Sequence, residues 1–324
     1  MTPLLAVSDL SVSFPAAHGP VRPVDGVSFS LERGETLALV GESGCGKSLT
    51  ALALLRLVPR PGAIDASSRV MLDGVDLLGL KDEALRGVRG RRIGMVFQDP
   101  LTSLNPVLRV GDQIAEGMVA HRLASKADAK KRALALLREV GIADPKSRYD
   151  AYPHQLSGGM RQRVGIAIAL ACEPEILIAD EPTTALDVTV QAQILETLDR
   201  LRRDRGMAML LITHDFGIVA GRADRVAVMY AGQIVEEGKT TAIFAKPSHP
   251  YTKGLLASVP RMTGPVRRIE PIPGSVPRPG AWPAGCRFAP RCVQAFAPCG
   301  TTPPVHDVEP GHPIRCWLGA AEGK

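Results

Sequence analysis

The sequence predicts an α/β fold in which a mostly parallel sheet is covered by helices. Three features carry this prediction: short apolar runs suited to buried strands, amphipathic stretches suited to helices, and their alternation along the chain. Ile176–Ala179 and Met209–Ile212 are two such runs. Between them one apolar helix face is marked by Val190, Ile194, Leu198 and Leu201. Strand, helix and strand in alternation are typical of parallel sheets with helices on their faces.

Elements in the first third of the chain follow from turns and apolar runs. Strands are predicted within 4–40, at Thr36–Val40 in particular, and again within 69–80 and at Arg92–Phe97. A helix is predicted from near Lys47 to about Leu57, because Pro59 cannot continue the pattern.

The middle of the chain predicts two further helices. Ser125 and Asp128 resemble an N-terminal capping box that opens the first of them, and Gly141 closes it. The second helix is predicted to start near Gly159 and to end before Pro174.

Composition excludes several other classes of protein. The 324 residues carry 39 Lys plus Arg and 33 Asp plus Glu, a formal net charge of +6, with 45% hydrophobic and 22% charged residues. These proportions are typical of a globular domain. No apolar run approaches the roughly 20 residues that span a bilayer, and the N-terminus is unlike a signal peptide because an acid precedes any basic residue. Disorder, collagen, coiled coil and integral membrane protein are excluded for the chain as a whole.

A phosphate-binding loop is predicted where G-E-S-G-C-G-K-S matches the pattern G-x-x-x-x-G-K-S. Its glycines let backbone N–H groups converge on phosphate oxygens, and the helix that follows points its positive end at the anion. Lys47 supplies positive charge to the β- and γ-phosphates, and Ser48 can ligate Mg²⁺. The alternative, an ordinary glycine-rich turn, is disfavoured by the flanking strand and helix. The predicted ATP-binding residues here are Gly41, Glu42, Ser43, Gly44, Cys45, Gly46, Lys47, Ser48 and Leu49.

Two acidic residues follow the apolar run that begins at Ile176. Open α/β sheets place ligands at the carboxyl ends of their strands. Asp180 is predicted to hold Mg²⁺, directly or through water, and Glu181 to act as general base on the attacking water. A solvated acidic turn is the alternative, which the phosphate loop disfavours.

The motif L-S-G-G-M-R-Q-R begins at Leu156, 23 residues before Asp180 counted from Ser157. It resembles the signature motif of the ATP-binding subunits of ABC transporters. Ser157 and the two glycines that follow it offer unobstructed hydrogen-bond donors at a helix N-terminus, which forms a second anion site. The resemblance implies that this site faces the γ-phosphate bound by the partner subunit, so that ATP is sandwiched between two chains. The residues concerned are Ser157, Gly158, Gly159 and Met160.

Further roles are implied by the same resemblance, which covers about residues 4–259. Gln98 resembles the glutamine that senses Mg²⁺ and contacts the permease, and Asp187 the D-loop residue. His214 resembles the switch histidine that contacts the γ-phosphate, and Phe14 the aromatic residue that stacks on adenine. The implied catalytic set is Glu181, His214 and Gln98, and the implied Mg²⁺ ligands are Ser48, Gln98 and Asp180.

The resemblance also implies an architecture. It predicts a RecA-like P-loop ABC ATPase core that carries an antiparallel β subdomain and a helical subdomain at about residues 100–172. The ATPase domain is predicted at 1–259, and residues 260–324 are predicted to form a separate Cys/Pro-rich C-terminal extension.

Two stretches narrow the family further. F-Q-D-P-L-T-S-L-N-P from Phe97 and H-P-Y-T-K-G-L-L from His249 resemble the oligopeptide/dipeptide (Opp/Dpp-type) branch of bacterial importers. Met160 resembles the D-type rather than the F-type ATPase of that branch. The resemblance implies two transmembrane permeases, an F-type ATPase as heterodimer partner and an extracytoplasmic peptide-binding protein. It also implies a peripheral location on the cytoplasmic face of the bacterial inner membrane.

Other functions stay open as alternatives. An importer of nickel or another small solute would carry the same ATPase motifs. A soluble ABC ATPase acting on nucleic acid is disfavoured, because DNA-repair members insert long coiled coils and this chain has only 108 residues between Ser48 and Ser157. We therefore expect no nucleic-acid partner. A redox-sensing tail on an ordinary transporter is a further alternative.

The C-terminal 65 residues differ from the rest in composition. They hold 13 of the 27 prolines, and their 8 basic against 4 acidic residues supply most of the net charge. Proline is unsuited to central strands and helix interiors, so no conventional core is predicted there. Four thiolates suit zinc or an iron–sulfur cluster, and the family resemblance implies 4Fe–4S, with zinc or unliganded thiols as alternatives. The predicted ligands are Cys286, Cys292, Cys299 and Cys316.

Overall fold

A computed structural model describes residues 2–99, 103–184, 186–258 and 271–320. The chain divides into two compact units. The first comprises 1–31, 36–78 and 213–324, and the second comprises 32–35 and 79–212. The predicted domain boundary after residue 259 falls within 259–270, outside the described residues, and stays a prediction.

The elements are numbered in chain order along the described residues. The strands are β1 (Leu5–Phe14), β2 (Val21–Leu31), β3 (Thr36–Val40), β4 (Ala63–Ile64), β5 (Arg69–Leu72), β6 (Val75–Asp76), β7 (Ile93–Val96), β8 (Ile176–Asp180), β9 (Ala208–Thr213), β10 (Arg225–Tyr230), β11 (Gln233–Lys239), β12 (Val305–Glu309) and β13 (His312–Arg315). The helices are α1 (Lys47–Leu54), α2 (Asp82–Arg86), α3 (Val110–Ala120), α4 (Lys126–Glu139), α5 (Pro145–Tyr149), α6 (Gly158–Leu170), α7 (Val188–Arg205), α8 (Phe216–Val219), α9 (Thr240–Ala245), α10 (Pro250–Ala257) and α11 (Trp317–Ala320). None of these helices is both long and apolar enough to cross a membrane.

The first unit contains an antiparallel sheet in the order β2-β1-β5-β6, with β4 also paired to β1. Leu5, Leu10 and Val12 of β1 are completely buried, and the pairing with β2 shifts register between Val7 and Leu10. The unit also contains the strand order β12-β13-β11-β10-β3, in which β10 runs parallel to β3 and antiparallel to β11. The antiparallel β subdomain expected from the family is therefore present.

The second unit contains three parallel strands in the order β9-β8-β7. Every residue of these strands is buried, as in parallel sheets that are covered on both faces. The helices α3 to α6 lie within 100–172, where a helical subdomain was expected. The apolar face predicted for α7 is confirmed at Ile194, Leu198 and Leu201, which are buried, whereas Val190 is half-buried.

Helix boundaries follow their capping residues. The Ser125 hydroxyl accepts from the Asp128 amide at 3.2 Å and opens α4, as predicted. By contrast, α1 ends at Leu54, three residues before the predicted end. The reason is Arg56, which takes a left-handed φ of 51° while the Leu57 amide donates back to the Leu52 carbonyl at 2.8 Å. An arginine in this conformation is uncommon and gives no sequence signal.

No conventional core of strands or helices was expected in the proline-rich C-terminal segment, but residues 305–315 form two strands. β12 and β13 form an antiparallel hairpin, and β13 pairs with β11 at Ile314. Gly311 has a positive φ of 76° that suits the connecting turn, and alternation buries His312 and Ile314. The hairpin forms because the prolines flank or interrupt only short strands that end the sheet.

The segment 271–320 also packs into the core of the first unit. The Phe288 ring lies 5.2 Å from the ring of Tyr230 and 5.3 Å from that of Tyr251, and all three side chains are buried. Ile272 and Trp282 pack against the same cluster. Aromatic burial of this extent supplies several kcal/mol on the scale of about 1.5–3 kcal/mol per large side chain.

A buried polar network joins β11, α10 and β13. Glu236 is fully buried and accepts hydrogen bonds from the amides of Ser248 and His249, at 2.7 and 3.0 Å. Its third partner is His312 Nε2, at 2.7 Å. His249 is also buried, and its Nδ1 accepts from the Tyr251 amide at 3.0 Å, which caps α10. Burial lowers the pKa of His249 from 6.5 to about 3.

We expect this histidine to make stability pH-dependent. Between pH 6.5 and 3 the unfolded chain binds a proton at His249 that the folded chain does not, so stability falls as the pH drops below 6.5. At pH 5 the loss from this group amounts to about 2 kcal/mol. This loss of unfolding free energy is measured by urea unfolding of the wild type and of His249→Asn at pH 7.5 and pH 5. Asn keeps a capping acceptor but does not titrate, so a pH slope equal to that of the wild type would contradict the assignment.

Candidate functional site: a phosphate loop and a strand-end carboxylate

The backbone of the predicted phosphate loop is built on glycines that no other residue could replace. Gly44 and Gly46 have left-handed φ values of 80° and 109°. A Cβ on Gly46 would lie 2.6 Å from the Pro23 carbonyl oxygen, and one on Gly41 would lie 2.2 Å from that of Met229. The loop conformation thus requires glycine both for its dihedral angles and for its close contacts.

Lys47 begins α1 and is only 4% exposed. Its Nζ donates to the carbonyl oxygens of Gly41, at 2.7 Å, and Glu42, at 3.2 Å. These bonds hold the ammonium group within the loop itself. Ser48, the next residue, is half-buried in the first turn of the same helix, and its hydroxyl is a ligand type that suits Mg²⁺.

Cys45 is completely buried within the loop, and burial raises the pKa of its thiol. The thiol is therefore protonated at neutral pH, which disfavours a reactive role for Cys45. Its backbone carbonyl accepts from the Gly232 amide at 2.8 Å.

The second unit places the two predicted acids at the carboxyl end of β8. Asp180 is 4% exposed and ends the strand. Glu181 follows with a positive φ of 44°, held by its amide, which donates to the Ile212 carbonyl at 2.9 Å. A left-handed glutamate costs about 1–2 kcal/mol, and such strain occurs preferentially at functional sites.

Side chains from two loops hold the Glu181 carboxylate. Gln98 Nε2 donates to Glu181 Oε2 at 3.1 Å, and the Thr184 hydroxyl donates to the same oxygen at 2.9 Å. The structure thus brings together the predicted general base and the predicted magnesium-sensing glutamine. The sequence patterns did not predict the contact made by Thr184. Its position three residues after Glu181 is the signal that could have indicated it.

The predicted signature motif caps α6 within the same unit. The Ser157 hydroxyl accepts from the Met160 amide at 3.3 Å, while Ser157 and Gly158 are exposed. A Cβ on Gly159 would lie 2.8 Å from Val190 Cγ1 on α7, whose N-cap is the predicted D-loop residue Asp187. Gly159 therefore permits close packing of α6 against the segment that starts α7.

Two other predicted residues belong to the first unit. His214 is exposed directly after β9, and Phe14 is half-buried at the end of β1. The Phe14 ring lies where a Cβ on Gly62 would approach it to 2.5 Å. The roles assigned to His214 and Phe14 stay predictions.

The fold and these motifs define a phosphate-loop ATPase of the ABC class. Comparison with family models agrees: residues 24–184 match the ABC transporter family, and residues 235–299 match the C-terminal region of oligopeptide/dipeptide transporters. A dimeric ATP-binding cassette, MJ0796 bound to ADP and Pi, superimposes with a TM-score of 0.64 at 27% identity, covering 73% of this chain and 98% of that chain.

Two curated relatives are similar over nearly their whole length. The dipeptide transport ATP-binding protein DppD of Bacillus subtilis is 50% identical, over 98% of this chain and 95% of the relative. The oligopeptide transport ATP-binding protein AppD of the same organism is 47% identical, over 100% and 99%. The chain therefore belongs to the ABC transporter family, among the ATP-binding proteins of the oligopeptide/dipeptide type, and it hydrolyses ATP to drive transport.

Proposed function

We propose that this chain is the D-type ATPase subunit of a bacterial peptide importer. Its similarity to DppD and AppD, which includes the C-terminal region at 235–299, is the observation that carries the proposal. The chain works from the cytoplasmic face of the membrane with two permeases and an extracytoplasmic peptide-binding protein. An F-type ATPase subunit is its partner, and each chain's signature motif completes the ATP site of the other.

The residues of this chain divide the work on ATP. Lys47 and the loop amides bind the phosphates, and Ser48, Gln98 and Asp180 are the oxygen donors for Mg²⁺, which supplies neutralising charge at the phosphates when bound. Glu181, oriented by Gln98 and Thr184, accepts a proton from the attacking water. His214 supports the γ-phosphate, and Phe14 stacks on adenine.

Transport by the assembled complex tests the proposal. The chain is reconstituted in proteoliposomes with its F-type partner, permeases and binding protein, and ATP-driven uptake of labelled dipeptides and of ⁶³Ni²⁺ is measured. Dipeptide uptake that requires ATP is expected. Uptake of nickel without uptake of dipeptides would show that the chain serves a nickel importer instead. Co-purification with nucleic acid rather than with permeases would contradict the assignment as an importer subunit.

The four C-terminal cysteines offer a donor set for a metal centre. Cys286, Cys292, Cys299 and Cys316 line one small cavity together with His249 and Phe288. Burial raises the pKa of Cys286, and its neighbours Cys299 and Cys292 raise it further. All four are free thiols. Within the described ranges, no set of three or more His, Cys, Asp or Glu side chains is already spaced to hold a metal ion, so the thiols would draw together around one.

We propose that these four cysteines hold a 4Fe–4S cluster, with zinc as the alternative occupant. Sulfur donors in one enclosed cavity support this, because thiolates are the ligands that both occupants prefer. Anaerobic purification should yield about four irons and four sulfides per chain, and the Cys286→Ser/Cys299→Ser variant should yield none. Stoichiometric zinc would favour the alternative, and a metal-free wild-type chain would contradict both.

A further inference from the structure

An arginine of the cysteine segment, which comprises residues 286–292, contacts the phosphate loop. Arg291, immediately before Cys292, has a side chain only 5% exposed and contacts the carboxylate of Glu42, the second residue of the loop. Its Nη1 donates to Oε2 at 2.7 Å and its Nη2 to Oε1 at 2.9 Å. This is the bidentate geometry in which arginine binds carboxylates most strongly.

The remaining donors of Arg291 are also occupied. Nε donates to the Pro273 carbonyl at 2.8 Å, Nη1 to the Tyr230 hydroxyl and Nη2 to the Gly274 carbonyl, both at 3.4 Å. The five N–H groups of a guanidinium thus have five acceptors. A buried arginine satisfied in this way is held in one place, so that it can hold Glu42 in turn.

Glu42 passes this constraint to the phosphate-binding lysine. The Glu42 amide donates to the Tyr251 hydroxyl at 2.9 Å, and its carbonyl accepts from Lys47 Nζ at 3.2 Å. Both backbone polar groups and the carboxylate of Glu42 therefore have partners. A shift of Glu42 would displace a carbonyl that positions the Lys47 ammonium.

A second arginine of the cysteine segment is connected to the same loop through a different set of hydrogen bonds. Arg287, immediately after Cys286, donates to the Ala231 carbonyl at 2.5 Å and pairs with Asp25. Gly232, which follows Ala231 in the chain, donates its amide N–H to the Cys45 carbonyl at 2.8 Å. The cysteine segment thus supports the phosphate loop at two positions, Glu42 and Cys45.

We propose that Arg291 is a positioning residue for MgATP, and that through its bond to Glu42 the folded cysteine segment 286–292 sets the nucleotide affinity of the phosphate loop. The inference rests on the ATPase activity of the family and does not depend on the transported solute or on the identity of any metal. A change in the conformation of the cysteine segment would therefore displace the phosphate loop, because hydrogen bonds connect the two.

Substitution of Arg291 measures this coupling. Arg291→Met removes the fork but keeps most of the side-chain volume, so the Kd of the full-length chain for MgATP should rise about tenfold, the effect of one lost charged hydrogen-bonded contact. The KM for ATP in the assembled transporter should rise in parallel, while kcat at saturating ATP stays within about twofold. Arg291→Lys keeps a charge near Glu42 and should recover part of the affinity.

Three controls separate positioning from folding. Arg278→Met makes the same change at an exposed arginine that precedes the cysteine segment, and it should leave the Kd unaltered. Glu42→Gln should raise the Kd as Arg291→Met does, and the double variant should be no weaker than either, because both remove one interaction. Glu42→Gln also serves if Arg291→Met fails to fold. An unchanged Kd in a folded Arg291→Met or Glu42→Gln chain would overturn the proposal, as would additive losses in the double variant. Since the Kd is measured on the isolated chain, failure of peptide transport leaves this test intact.

Discussion

Replacement of Lys47 by alanine should weaken MgATP binding by at least about a hundredfold, the effect expected from loss of two charge-assisted phosphate contacts. The side chain is buried in the loop, where its ammonium has the carbonyls of Gly41 and Glu42 as partners. No other lysine or arginine lies in the motif Gly41–Ser48 to replace that charge. Isothermal titration of the full-length chain with MgATP measures the loss.

Lys81→Ala is the matched control for this variant. Lys81 is exposed and forms no side-chain cap at the start of α2, so its loss should leave the affinity unchanged. Circular dichroism and thermal melting should show that Lys47→Ala remains folded. Near-normal affinity in the folded variant would show that Lys47 does not contact the phosphates.

Glu181→Gln should reduce ATP hydrolysis by the assembled transporter about 10²–10⁴-fold, the usual contribution of a general base. ATP binding should persist, because the glutamine has the same shape and its oxygen can still accept from Gln98 and Thr184. The left-handed backbone of Glu181 and these two hydrogen bonds fix the carboxylate before the reaction. Single-turnover and steady-state hydrolysis, together with MgATP titration, separate the two effects.

The control for the carboxylate is Glu83→Gln, an exposed glutamate in the first turn of α2. It should hydrolyse ATP at the wild-type rate. If the transporter carrying Glu181→Gln also hydrolysed ATP normally, another group would have to be the base, and the orientation of Glu181 by Gln98 and Thr184 would have no catalytic meaning.

Much of the architecture follows from local patterns. The buried strands β3, β8 and β9 lie where continuous apolar runs predict them, within one residue at each end. The cap at Ser125 is equally local, since its acceptor and donor are three residues apart. The end of α1 was misplaced because a left-handed Arg56 has no such signature. The hairpin at 305–315 was missed because proline content is a poor guide when the strands are short and lie at the end of a sheet.

The chemical motifs were equally accessible, because each is a contiguous segment whose residue types serve one function. Lys47 follows its glycines directly, and Glu181 follows the strand that delivers it. Their partners were not accessible. The Thr184 contact with Glu181 depends on the backbone turn after β8, and that turn is set by a residue in a conformation that glutamate rarely adopts.

The sequence by itself therefore determined the class of this protein: strand periodicity and the phosphate-loop motif predict a phosphate-loop ATPase, and the resemblance of the signature motif implies the ABC transporter family. Only the tertiary structure decided what supports the motifs. Arg291 lies 249 residues from Glu42 along the chain, and Glu236 lies 76 residues from His312. Local propensity carries no information about pairs so far apart. They are brought together by burial of the Tyr230, Tyr251 and Phe288 rings in a common core, which places the cysteine segment against the phosphate loop.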